Sequence, residues 1–390
     1  MNWRIPLSDL RLTPEDREAV LAALESNWLT MGERTQQFEK RFSEALDPQS
    51  QPFCFAVGNC TVGLHMALAA VGVGPGDEVI VPSLTFVATA NAALYCGATV
   101  VLADVTSESD WTLSIADVAR KITPKTKAIV PVHYAGQPCE MIGLLQLARQ
   151  HGIAIVEDNA HGPLADGWID EAHTSQALGT IGEIGCFSFF SNKNMTTGEG
   201  GMVVTRDPQL AEKLRLLRAH GMTTLTLDRH KGHAFSYDVV ELGFNYRIDE
   251  MRAALGLSQL SRLPHNNEQR AQVLNWYHEH LDKLPQVTVP FRHQVPQGRV
   301  APHILPVLLP QGTDREKVQT FLKDAGIQTS IHYRPIHTFT YHGQSERVRR
   351  DNLQGTDALT PRILTLPLYP SMTPGEVQLV VDTLQSALEA

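Results

Sequence analysis

The sequence predicts an α/β protein: a large layered domain on a mostly parallel sheet, followed by a smaller α+β domain. Two patterns carry that reading. From about residue 57 to 206, short, continuously apolar, β-rich runs alternate with helical ones, as parallel strands buried on both faces do. Beyond residue 281 the pattern changes to strand, helix, strand and a terminal helix. A length of 390 residues accommodates two or three domains. The expected division is residues 1–255 for the large domain, N-terminal helix included, and 256–390 for the small one.

The elements follow in order. Thr13-Pro14-Glu15-Asp16 opens an N-terminal helix. Strands are expected at Glu78–Pro82, Thr99–Asp104, Ala128–Val132 and Ile153–Glu157. Between them, helices are expected at Phe86–Cys96, Ile115–Ile122 and Met141–His151. Right-handed crossovers then build a layered sheet that binds ligands beyond the carboxyl ends of its strands. Two further strands, Cys186–Phe190 and Met202–Thr205, bracket a polar, Gly-rich loop, and a helix starts near Pro208. A long helix runs from Asp249 towards Leu281, with a break expected near Pro264. Thr373-Pro374-Gly375-Glu376 reads as a capping box that starts the last helix.

Composition narrows the function. With 33 Lys and Arg against 42 Asp and Glu, the formal charge of −9 disfavours nucleic acid as a partner. Five cysteines without a C-x-x-C pair fit neither a disulfide framework nor a zinc ribbon. No apolar run approaches the roughly 20 residues that span a bilayer, and Met1–Pro6 is not built like a signal peptide. A soluble, cytoplasmic protein is expected. His220, His230 and His233 fit no compact ligand spacing and read as loop histidines, so no metal is expected.

Four segments carry candidate chemistry. In Ser188–Gly201, SFFSNKNMTTGEGG, Lys193 follows a buried strand and precedes Gly198, Gly200 and Gly201. A lysine presented in this way can act as an amine nucleophile towards a carbonyl. In Val156-Glu157-Asp158-Asn159-Ala160-His161, a carboxylate stands at a strand's carboxyl end, where it could pair with a protonated ring nitrogen. Gly58-Asn59-Cys60-Thr61 opens a helix-like run with small and polar residues, a build suited to phosphate. Pro82-Ser83-Leu84-Thr85-Phe86 puts an aromatic just past a strand end. Each has an ordinary reading when taken alone: a solvated lysine, a turn aspartate, a helix cap, a core phenylalanine. Together they describe one pocket.

With Trp28-Leu29-Thr30-Met31-Gly32, Gly76-Asp77-Glu78-Val79-Ile80-Val81-Pro82, Leu242-Gly243-Phe244-Asn245-Tyr246-Arg247 and His332-Tyr333-Arg334-Pro335-Ile336-His337, these segments make the chain resemble the DegT/StrS-type nucleotide-sugar aminotransferases. These belong to the fold-type I pyridoxal 5′-phosphate (PLP) enzymes, with an aspartate-aminotransferase-like large domain. The resemblance covers nearly the whole chain, and the lysine loop ending in TTGEGG is its most specific part.

The resemblance implies that Lys193 carries PLP covalently and moves the proton, and that Asp158 pairs with the ring nitrogen. It implies Phe86 on one ring face and His161 on the other face or near the ring hydroxyl. Phosphate contacts are implied for Cys60 and Thr61, where relatives carry Gly-Thr, for Ser188, and for Asn245 from a neighbouring subunit. The last implies a homodimer with shared sites. Thr30, Arg247, His332, Tyr333 and His337 are implied to receive the substrate. The implied reaction is a ping-pong amino transfer from L-glutamate to a nucleotide-linked keto-sugar. A cyclitol or other small ketone as acceptor, or a PLP-binding regulatory role, are the alternatives. A sugar dehydratase is disfavoured, because those relatives replace the lysine by histidine. Residues 162–178 and 222–238 are longer than usual for the family.

Overall fold

The computed structural model describes residues 3–224, 236–292 and 298–390. His230 and His233 lie outside the described residues, as does most of the 222–238 extension. Helices α1 (Pro14–Glu25) and α2 (Glu33–Leu46) precede a central sheet. Its strands are β1 (Phe53–Val57), β2 (Glu78–Pro82), β3 (Thr99–Ala103), β4 (Thr126–Ile129), β5 (Ala154–Asp158), β8 (Ile184–Ser188) and β9 (Gly201–Thr205). A short strand from the C-terminal part, β11 (Val348–Arg349), completes it, and the spatial order is β1-β9-β8-β5-β4-β2-β3-β11. Only β9 pairs antiparallel with its neighbours, so the other seven strands run the same way.

Alternation along each strand feeds two cores. Phe55, Val57, Val79, Val81, Val100, Leu102, Cys186 and Val203 pack against α3 (Cys60–Ala70), α4 (Ala88–Tyr95) and α7 (Pro208–Arg218) on one face. From the same strands, Cys54, Ala56, Phe187, Met202 and Val204 meet Phe38 and Phe42 of α2 on the other face. Ile80, Val101 and Ile129 meet Leu113, Val118 and Leu144, from the region of α5 (Ile115–Lys121) and α6 (Met141–His151). Burial on both faces explains why these strands read as unbroken apolar runs. The 162–178 extension folds back as a hairpin of β6 (Asp166–Trp168) and β7 (Ser175–Ala177).

Helix α8 (Glu250–Leu281) is continuous. The break expected at Pro264 does not occur: Pro264 lies on the exposed side, and residues before and after it are anchored in two cores. Ala253, Leu260 and Leu263 pack into the large core, while Val273, Tyr277 and Leu281 pack into the C-terminal one. That second core joins β10 (Leu305–Leu308) and β12 (Ile363–Leu366), paired antiparallel, with α9 (Arg315–Asp324) and the terminal α12 (Pro374–Glu389). Between them lie α10 (Thr340–Gln344) and α11 (Gln354–Leu359). Both expected capping boxes form, at Thr13 with Asp16 and at Thr373 with Glu376. No helix among the described residues is long and apolar enough to cross a membrane.

Candidate active site

Because seven strands point the same way, the carboxyl ends of β1, β2, β5 and β8 open on one edge of the sheet. Gly58–Thr61, Ser83–Phe86, Asp158–His161 and Lys193 all leave from that edge, so the four segments converge there.

Asp158 is the last residue of β5 and only 5% exposed. Its Oδ2 accepts from the Thr89 hydroxyl at 2.8 Å and its Oδ1 from the Ala160 amide at 3.2 Å. Thr89 sits on α4, one turn after Phe86, and is oriented in turn by Thr85 at 3.1 Å. No cation pairs with Asp158 among the described residues, and burial raises its carboxyl above the ordinary range despite the Thr89 and Ala160 bonds. Such a carboxylate lacks one partner, a cationic N–H.

Lys193 enters the site from the turn closed by its own amide on the Phe190 carbonyl at 3.0 Å. Burial lowers its ammonium to about 8. Its Nζ lies 3.4 Å from Nε2 of His303, a residue for which the sequence holds no local signature. Burial, and then the Lys193 charge, keep His161, His303 and His332 neutral, His332 being lowered to about 4. The Ala135 amide donates to His161 Nδ1 at 3.1 Å. His161 therefore carries its hydrogen on Nε2 and directs it at Tyr333 Oη, 2.8 Å away.

Tyr333 stands between the two ring-facing candidates, 5.8 Å from the Phe86 ring and 5.9 Å from His161. Phe86 itself is 55% exposed. Tyr134, also unforeseen, donates to the His332 carbonyl. His332 is bound at Nδ1 to Thr365 Oγ1, 3.1 Å away. His337 is held between Ser83 Oγ at 2.7 Å and Asp357 at 2.9 Å. That row resembles a hydrolase relay, but Ser83 is fully buried, so it braces the segment and presents no nucleophile.

At the start of α3, the Asn59 side chain caps the Val62 amide, leaving the Cys60 and Thr61 amides without an acceptor among the described residues. Burial and the Asp158 charge keep Cys60 a neutral thiol. Ser188 is buried at the end of β8. Beside β1, the Tyr246 carbonyl accepts from the Gly58 amide at 3.0 Å, and Arg247 bridges to Val57. Asn245 is exposed and accepts from Arg247 Nε at 2.9 Å. Thr30 is exposed in a loop tied to α8, where Glu250 accepts from the amides of Gly32, Arg34 and Thr35 at 2.8 to 2.9 Å.

A phosphorylated pyridine aldehyde fits these residues: free amides at a helix mouth, an exposed aromatic face, a buried carboxylate lacking a cationic N–H, and a lysine with a lowered proton affinity.

The comparisons agree with this chemistry. Residues 11–385 match the DegT/DnrJ/EryC1/StrS aminotransferase family. The chain is 35% identical to the spore coat polysaccharide biosynthesis protein SpsC of Bacillus subtilis, covering 100% of this chain and 98% of that one. It is 36% identical to the GDP-perosamine synthase of Caulobacter vibrioides, covering 99% and 98%. Among solved structures, Spr1654 of Streptococcus pneumoniae in its PLP form superposes with a TM-score of 0.87 at 27% identity, covering 99% and 98%. The chain belongs to the DegT/DnrJ/EryC1/StrS aminotransferase family and is a PLP-dependent aminotransferase of fold type I.

Proposed function

We propose that the enzyme transfers an amino group from L-glutamate to a nucleotide-linked keto-sugar in two ping-pong half-reactions. The observation that carries the reading is a buried carboxylate without a cationic partner, Asp158, at the same strand-end edge as an amine of low proton affinity, Lys193. The names of the relatives, a GDP-perosamine synthase and a polysaccharide biosynthesis protein, support a sugar acceptor.

PLP supplies the electron sink when bound. Asp158 holds the ring nitrogen's hydrogen and is itself fixed by Thr89. Phe86 covers one ring face, and His161 takes the other face or the ring hydroxyl. The Cys60 and Thr61 amides, the Thr61 hydroxyl and Ser188 hold the phosphate at the mouth of α3. Asn245 serves the phosphate of a second copy, making a homodimer with shared sites. Lys193, once its Nζ is free, takes the proton from the donor carbon and returns one to the acceptor carbon. Thr30, Arg247, His332 and Tyr333 receive the substrate, while His337 braces their segment. In this reading residues 1–255 form the large domain with the cofactor contacts, residues 256–390 form the small domain, and the enzyme works in the cytoplasm.

The test supplies the PLP-loaded enzyme with 15N-labelled L-glutamate and GDP-, UDP- or dTDP-linked keto-sugars. The label is expected in the nucleotide sugar, one 2-oxoglutarate forming per amino sugar. Labelling of a free inosose instead would overturn the acceptor, and a cofactor absorbance unmoved by glutamate would overturn the donor. Sedimentation reads the dimer directly.

A further inference from the structure

The side chains behind Lys193 form a line whose hydrogen-bond direction can be read from its ends. Asn267 Nδ2 donates to the Pro163 carbonyl at 3.0 Å, so Asn267 Oδ1 faces the other way and accepts from Asn194 Nδ2 at 2.8 Å. The same Asn194 Nδ2 also reaches the Pro302 carbonyl at 3.3 Å. Two carbonyl anchors thus orient both amides, because a carbonyl can only accept. Asn194 Oδ1 is left facing His303 Nδ1 at 3.0 Å, so Nδ1 carries the hydrogen. The Nε2 lone pair of His303 then points at Lys193 Nζ, 3.4 Å away. All three of these residues are buried, which prevents water from replacing any partner.

We propose that His303 is the positioning residue for Lys193, a neutral acceptor that docks the ε-amino group whenever it is not bonded to the cofactor. Its tautomer is set by Asn194 and Asn267. The amine must wait close to the substrate carbon between the two proton movements, and a flexible four-carbon stem does not by itself keep it there. Docking confines Nζ without taking its proton, since burial, and then the charge of Lys193, oppose a second hydrogen on the ring. Lys193, His161 and His332 face the His303 ring, and Arg270 donates to its backbone carbonyl at 3.1 Å. Facing Lys193 itself are Asp158, which favours its charged form, the neutral Cys60 thiol, and the three histidines.

The inference rests on the role given to Lys193 above. Its test reads the lysine in the full-length protein before PLP is added, so failure of the sugar reading would not touch it. The measurement is the pH dependence of Lys193 acetylation by acetic anhydride, followed by peptide mass spectrometry. His303→Asn keeps a group facing Asn194 but cannot reach Nζ, whereas His303→Gln places an amide oxygen where Nε2 lies. Loss of an acceptor to a charged amine should lower the midpoint by about one pH unit in His303→Asn, and His303→Gln should restore it. Asn194→Leu, which leaves the ring in place without its Nδ1 acceptor, should lower the midpoint as well, and it decides the matter if His303→Asn does not fold. A midpoint unchanged in His303→Asn, or lowered equally in His303→Gln, would overturn the proposal.

Discussion

The Thr89 hydroxyl donates to Asp158 Oδ2 at 2.8 Å, tying the first turn of α4 to the last residue of β5 across the opening of the sheet. Without a cationic partner, Asp158 has its carboxyl raised by burial above the ordinary 3.8. The folded protein therefore binds this proton more tightly than the unfolded chain does. Its contribution to stability falls as pH rises from about 3.8 through the raised value. In PLP-free protein, Asp158→Asn should abolish this loss, so the stability difference from wild type in urea should grow in the variant's favour across that window. The same variant should bind PLP at least about 100-fold more weakly, a buried ion pair having lost one partner. Equal PLP affinity would remove Asp158 from its assigned role.

Lys193 has the opposite sign. Burial lowers its ammonium from 10.5 to about 8, so between those values the unfolded chain binds the extra proton. Stability of the PLP-free protein should therefore rise with pH over that interval relative to Lys193→Met. In wild type, acetylation of Lys193 should rise through a midpoint near 8, well below that of surface lysines. A midpoint near 10.5 would show that the amine is solvated.

Phe86 separates binding from folding. Because 55% of it is exposed, Phe86→Ala should cost less than about 1 kcal/mol of stability. Its loss as a stacking face should still weaken PLP by about three- to tenfold, measured by fluorescence titration. A large drop in melting temperature with unchanged affinity would show that the ring serves the core instead.

Glu250 does the reverse. Its buried carboxylate accepts from the amides of Gly32, Arg34 and Thr35 and from the Thr35 hydroxyl at 2.7 Å. Glu250→Ala should cost roughly 3 kcal/mol, because four donors at the start of α2 lose their acceptor. Loosening the loop that carries Thr30 should raise KM for the keto-sugar more than it lowers kcat. A kcat loss at constant KM would place the loop elsewhere in the reaction.

Six strands of the central sheet, β2, β3, β4, β5, β8 and β9, and the convergence of four loops were legible because each rests on short-range pattern: apolar runs, caps, and glycines after Lys193; β1 and the two-residue β11 were not expected. Thr89 was within reach, since it follows Phe86 by one turn. His303 was not, because its partners Lys193 and Asn194 stand 110 and 109 residues away in the chain and Ala301-Pro302-His303 carries no periodic signal. Tyr333 was expected at the substrate, whereas its hydroxyl also receives the hydrogen of His161, a link no spacing rule reveals. Pro264 misled for a physical reason: helix-breaking rules describe an isolated helix, and two cores hold this one.

The two-residue strand β11 has a consequence for how the mouth of the site behaves. It fastens the chain after α10 to the edge of β3, and Arg349 reinforces the seam by pairing with Glu78 at 2.8 Å. Nearby, Asp104 accepts from the amides of Gly355 and Thr356, and the Ser83 carbonyl accepts from the Ile336 amide at 2.8 Å. The rim bearing His332, Tyr333 and His337 is therefore riveted to the same sheet that carries Asp158. Swinging the C-terminal core as a rigid hinge would tear this seam, so His332, Tyr333 and His337 keep their place relative to Asp158 only while the seam holds.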